Sequence, residues 1–210
     1  MWARLLDFLF PLRTDEAIVR ELSVDQFLSR LEPQLETRTN PPTVALLPFA
    51  DRKVQAVIHE AKYHGSSKAF ELLASALADY LRNDDRFDGL ASAVLIPIPL
   101  GAKRRRERGF NQVEEVARRV GRELGISLVT DLLTRTRETV TQVTLPKAER
   151  AKNMRGAFAI PDSKVSLIYR TDFTYVVIDD VTTTGATLSA AISALKAAGA
   201  HDILPIALAH

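Results

Sequence analysis

Residues 176–187 read VVIDDVTTTGAT: an apolar run, the carboxylates Asp179 and Asp180, then Val181, three threonines and Gly185, after which TLSAAISALKAAGA carries a helical pattern closed by Gly199. An apolar run of strand length, a hydroxyl-rich glycine turn and a helix form one strand–turn–helix unit. Such units build α/β proteins with a parallel sheet, in which ligands gather at the carboxyl ends of the strands. The acids and the turn stand at that end.

The residue types narrow the ligand. Asp179 and Asp180 at a strand tip can accept hydrogen bonds from the vicinal hydroxyls of a sugar. Val181, Thr182, Thr183, Thr184, Gly185, Ala186 and Thr187 present successive backbone N–H groups at a helix start, where exposed donors and the helix dipole favour an anion. Acids for ribose beside a cradle for phosphate describe a ribose 5-phosphate. A helix cap followed by a polar turn would account for either half alone, but not for the combination. The chain has neither a GxxxxGK[ST] phosphate loop nor a strand-anchored GxGxxG.

Outward from this unit, apolar runs alternate with helical patterns. DILPIALA predicts the last strand, AFAI another, ISLVTDLLTR a third and AVLIPIPL a buried one. Val113, Val116, Ala117, Val120 and Leu124 predict a helix from about Asn111 to Leu124. Phe70, Leu73, Leu77 and Leu81 predict another from Ser67, and Val54, Val57, Ile58 and Ala61 one that Asp51 caps and Gly65 stops. Nearer the start, Ile18, Leu22, Phe27, Leu28 and Leu31 make a helical stripe, with Ser23 and Gln26 as a capping box. EPQLETRTNPPT reads as a loop or linker, giving a helical N-terminal extension over 1–43 and a main domain over 44–210.

Composition limits the function classes. The 210 residues are 46% hydrophobic and 26% charged, an ordinary globular balance. With 28 Lys and Arg against 26 Asp and Glu, the net charge of +2 gives no bulk reason to expect nucleic acid or an anionic membrane. No cysteine is present, which excludes disulfides, thiolate catalysis and thiolate zinc sites and fits the cytoplasm. His59, His64, His201 and His210 have no metal-ligand spacing in sequence and read as structural or exposed. MWARLLDFLFPL is interrupted by Arg4 and Asp7 and is far shorter than the roughly 20 residues of a spanning helix. It reads as a short amphipathic helix, with membrane-surface contact the alternative and no integral insertion expected.

VVIDDVTTTGAT resembles the phosphoribosyl pyrophosphate (PRPP) motif of type I phosphoribosyltransferases. The resemblance implies that Asp179 and Asp180 hold the ribose hydroxyls and Val181–Thr187 the 5-phosphate. It also implies magnesium between ribose and pyrophosphate oxygens, with any contact to the two acids running through ribose or water. IPIPLGAKRRRERGFNQ, AKYHG and RTRETVTQVTLPKAERAKNMRGAF are similar to marks of the ComF branch, the competence-associated phosphoribosyltransferase-like proteins. Together these matches run from about Val54 onward. Members of that branch often carry an N-terminal zinc module built on cysteines; this chain has none, and zinc is not expected.

The remaining candidates follow from position. Lys103, Arg104, Arg105, Arg106 and Arg108 follow the IPIPL strand onto the ligand-bearing rim, where Lys103, Arg104 and Arg108 are candidates for pyrophosphate. Single-stranded nucleic acid and a solvated helix start are the other readings of that run. Asn111 suits a helix cap as well as a ligand contact, and Lys62 with Tyr63 suits a helix end as well as a site. Residues 139–153 predict a long polar loop, and the resemblance makes Gln142, Lys147 and Arg150 contacts of a closing lid. Two functions stay open: a phosphoribosyltransferase acting on an unknown base, and a non-catalytic PRPP sensor or single-stranded-DNA-binding accessory of DNA uptake. Partners to expect are PRPP, single-stranded DNA, DNA-uptake proteins and a second copy in a homodimer.

Overall fold

A computed structural model describes residues 13–87, 92–136, 154, 156–168 and 173–210. The apolar run that precedes Asp179 is the long central strand β7 (Thr174–Val181), with Tyr175 to Ile178 buried because both faces of the sheet are covered. Its parallel neighbours are β3 (Ala93–Pro97) and β8 (Ile203–Ala209). Beyond them lie β2 (Thr43–Leu47) and β4 (Ser127–Leu128), also parallel, and β1 (Gln34–Glu36) closes one edge antiparallel to β2. The strand order is β1-β2-β8-β7-β3-β4. The expected parallel α/β sheet is therefore present.

Two of these strands were not expected. Thr43–Leu47 is buried throughout, and Gln34–Glu36 lies within the stretch that reads as a linker. A three-residue polar edge strand has no periodicity to detect; its partner, nine residues on, defines it. ISLVTDLLTR forms no single strand either. It divides into β4, on the main sheet, and β5 (Thr134–Arg135), which pairs antiparallel with β6 (Phe158–Ala159).

The helices cover both faces. On one side lie α1 (Thr14–Glu21), α2 (Val24–Leu28), α3 (Arg52–His64), α4 (Ser67–Arg82) and α6 (Gln112–Leu124). They bury Val54, Val57, Phe70, Leu77, Val116 and Val120 against Val176 and Ile178 of β7. On the other side α7 (Ala186–Ala197) packs Leu188, Ile192 and Leu195 with Val177 and Ala207. The expected caps form: Ser23 and Gln26 exchange hydrogen bonds, Asp51 accepts from the N–H groups of Lys53 and Val54, and Gly65 ends α3 in the left-handed region. That turn brings Gly65 under Phe110, so close that a Cβ there would lie 3.1 Å from the ring. AKYHG and GFNQ, far apart in sequence, thus pack together beside the carboxyl end of the sheet.

No described helix is long and apolar enough to cross a membrane.

Candidate functional site

The carboxyl ends of β3 and β7, the last turn of α3 and the short basic helix α5 (Ala102–Arg108) surround a cleft of about 520 Å³. Its walls are mixed. Phe49, Ile58, Ile98, Leu100 and Val113 give apolar surface, while Lys62, Arg104, Arg108, Arg135, Asp179 and Asp180 bring charge. That size and lining suit a small ligand with a charged part and a planar part.

Successive strand residues point to opposite faces, so the two acids part company. Asp180 turns toward α3 and α6, where Lys62 Nζ lies 3.1 Å from Oδ2 and Gln112 Nε2 donates to the same oxygen at 2.7 Å. Its Oδ1 accepts from the Val181 N–H at 2.7 Å. Burial pushes Asp180 up, but the Lys62 charge and these hydrogen bonds outweigh it and hold the carboxyl below its usual range. Asp179 lies next to the loop. Burial, and then the charge of Asp180, push its carboxyl up to about 7 against the smaller opposing pull of the Asp180 N–H, Lys62 and Arg135. One acid is therefore firmly ionised and the other holds its proton near neutrality.

Residues 181–188 curl beside Asp179 around a concavity of about 10 Å³, room for one small group. Gly185 is the N-cap of α7 with φ 72° and has no side chain to offer, while Thr184 Oγ1 accepts from the Ala186 N–H at a long 3.4 Å. Thr182 is anchored through its N–H to Ala209 O at 2.9 Å. From behind, the Arg38 guanidinium donates to Thr183 O while pairing with Glu36 at 2.6 Å. In a trans peptide the carbonyl and the next N–H point in opposite directions. Arg38 therefore turns the Thr184 N–H away from itself. Thr39 closes the same wall, and a Cβ on Gly185 would lie 2.9 Å from Thr39 Cγ2.

Of the sequence candidates, Asp179, Val181 to Thr187, Arg104 and Arg108 line these concavities, and Asp180 lines the cleft. Arg108 lies 5.1 Å over the half-exposed Tyr63 ring and donates to Gln112 Oε1 at 3.2 Å. Lys103 points to solvent beside Glu107 at 3.9 Å, and the cleft does not include it. Asn111 is a buried cap: Oδ1 accepts from the Val113 N–H and Nδ2 donates to Ile98 O, which joins α6 to the end of β3. Gln142, Lys147 and Arg150 lie outside the described residues, between β5 and β6.

Three site residues escape sequence reasoning in their observed roles. Lys62 and Gln112 read as helix-end and helix-start residues, and their meeting on Asp180 depends on packing between distant segments. Arg135 enters the cleft from β5, over the Phe158 ring at 5.0 Å. The basic residue following an apolar run is the faint signal it left.

No protein-family model matches the chain. Among curated proteins it is 33% identical to "Competence protein F" of Haemophilus influenzae over 109 residues, 52% of this chain and 46% of that protein, so this match spans less than half of the relative. It is 28% identical to "DNA utilization protein YhgH" of Escherichia coli over 194 residues, covering 91% of this chain and 83% of the relative. The Salmonella typhi protein of the same name is 28% identical over 166 residues, covering 78% and 70%.

Proposed function

We propose that the chain is a ComF-type protein, a reading its likeness to the competence and DNA-utilization relatives supports, and that it binds magnesium-complexed PRPP in the cleft and transfers the phosphoribosyl group to a base. The observation that carries this reading is the adjacency of Asp179 to a helix start whose N-cap is a glycine, opening onto a cleft that holds Arg104, Arg108 and Arg135. The loop N–H groups take the 5-phosphate, Asp179 accepts from a ribose hydroxyl, and the arginines face the pyrophosphate. The apolar wall receives the base, whose nitrogen bonds to the anomeric carbon as pyrophosphate departs with the bonding pair. Positioning and charge stabilisation are the protein's contributions.

The donor set fits magnesium. Carboxylate and phosphate oxygens are its preferred ligands, and the like charge that pushes Asp179 up favours a cation beside the pair. Magnesium would neutralise the departing pyrophosphate. Lys62 and Gln112 keep Asp180 ionised and fixed. Gln142, Lys147 and Arg150 are the proposed lid contacts. The process served would be competence or DNA utilization, in the cytoplasm.

A second reading is favoured by the exposed Tyr63 under Arg108 beside the basic face of α5: a stacking platform for single-stranded DNA, with the cleft sensing PRPP. Calorimetry separates the two. PRPP with magnesium should bind the wild type and fail to bind Asp179→Asn. No binding by the wild type overturns the PRPP reading, and an oligonucleotide held equally by both proteins, with no PRPP consumed by any base, supports the second.

A further inference from the structure

The histidines look unrelated to metal in the sequence, but α3 brings two of them to one buried acid. His59, Glu60 and His64 each offer a ligand atom, and these atoms lie within 4.8 Å of one another. Glu60 is 2% exposed, and no donor among the described residues reaches its buried Oε1 within hydrogen-bond distance. His64 Nε2 lies 3.9 Å from that oxygen. An orphaned buried carboxylate oxygen costs free energy unless something takes its lone pairs.

A second carboxylate orients the first histidine. Asp15, held through Oδ1 by Arg52, places Oδ2 2.9 Å from His59 Nδ1. A carboxylate on one imidazole nitrogen fixes the tautomer that leaves the other nitrogen's lone pair for a metal. Two imidazoles and a carboxylate are a donor set for zinc or a neighbouring first-row divalent ion.

We propose that His59, Glu60 and His64 form a binding site for such an ion, separate from the acids of the cleft. One cation already competes for it. Arg13 donates to Glu60 Oε2 at 3.1 Å and to His64 Nδ1 at 2.8 Å, so His64 carries its hydrogen on Nε2. Loading the ion on Nε2 moves that hydrogen to Nδ1 and expels the guanidinium. Arg13 is half-exposed, with Glu16 3.3 Å away as an alternative partner, so it has somewhere to go.

The test is a titration of zinc alone into the full chain at neutral pH against a chromophoric chelator. One equivalent should bind the wild type and Asp179→Asn alike. His59→Ala should weaken binding by about tenfold or more, and Asp15→Asn by about 10–100-fold, the usual effect of losing an orienting carboxylate. Arg13→Ala should tighten it, which a merely structural network would not do. His59 is exposed, so its variant keeps the test valid if His64→Ala fails to fold. No stoichiometric binding, or binding that is unchanged in both His59→Ala and Arg13→Ala, overturns the proposal.

Discussion

Asp179 and Asp180 are adjacent in sequence and opposite in circumstance, and the difference has a pH signature. An unfolded aspartate loses its proton near pH 4, whereas folded Asp179 does so at about 7. The folded state therefore binds the proton more tightly, and this contribution to stability is complete below pH 4 and lost as pH rises through 7. Asp180, held low, acts in the other direction and only in acid. Between pH 5 and 8 the Tm of the wild type should thus fall, and Asp179→Asn should flatten that fall and be the more stable protein at pH 8. Thermal melts across that range check it; parallel curves would mean that Asp179 is ionised throughout. The carboxylate pair itself was legible from the sequence, because an apolar run ending in acids has few other uses. The split between the two acids was not, since Lys62 and Gln112 reach Asp180 through the packing of α3 and α6 on β7.

At the scale of elements, the 181–188 loop leans on the turn after β1. Arg38 and Thr39 sit behind Thr183 and Gly185, and Lys196 of α7 donates to Asn40 O at 2.9 Å. Gly185→Ala would place a side chain at φ 72° and drive it against Thr39, a combination of backbone strain and overlap that costs about 1–3 kcal/mol. Adding Thr39→Ser removes the overlapping methyl but not the strain, so stability should return only in part. Arg38→Ala should keep the fold and weaken PRPP binding, with Arg38→Lys intermediate, as calorimetry would show; unchanged affinity would mean that the loop holds its shape without the buttress. None of this was readable beforehand. TRTNPPT has the composition of a linker, and only the partner across β1 and β2 turns it into a wall of the site. The helices were legible because Ser23, Asp51, Gly65 and Asn111 mark their ends with local chemistry.

For the whole molecule, one feature of residues 13–36 matters most: they share the core. Val19, Leu22 and Phe27 are buried with α3 and α4, and Phe27 is fully buried. Phe27→Ala should destabilise the entire protein by about 3–5 kcal/mol and do so in a single transition. Denaturant unfolding followed by circular dichroism and by Tyr or Trp fluorescence checks this; a separate early transition would show that the helical segment melts independently. The architecture of a parallel sheet with ligands at its carboxyl rim was inferable from alternating patterns alone, whereas the strand order was not, because it depends on which edges meet across long separations.

That order has a consequence for synthesis. β8 lies between β2 and β7, and its last residues hold Thr182 through Ala209 O and meet the β2 end through His210. A chain emerging from the ribosome carries β2 and β7 before β8 exists. Until residues 203–210 leave the exit tunnel, the two strands face one another across a gap one strand wide, each with an open apolar edge suited to pairing with another chain. The anchor of the 181–188 loop arrives in the same step. Nascent copies stalled short of Ile203 are therefore sticky and hold Thr182 unanchored, and the sheet and the loop are completed together when β8 emerges.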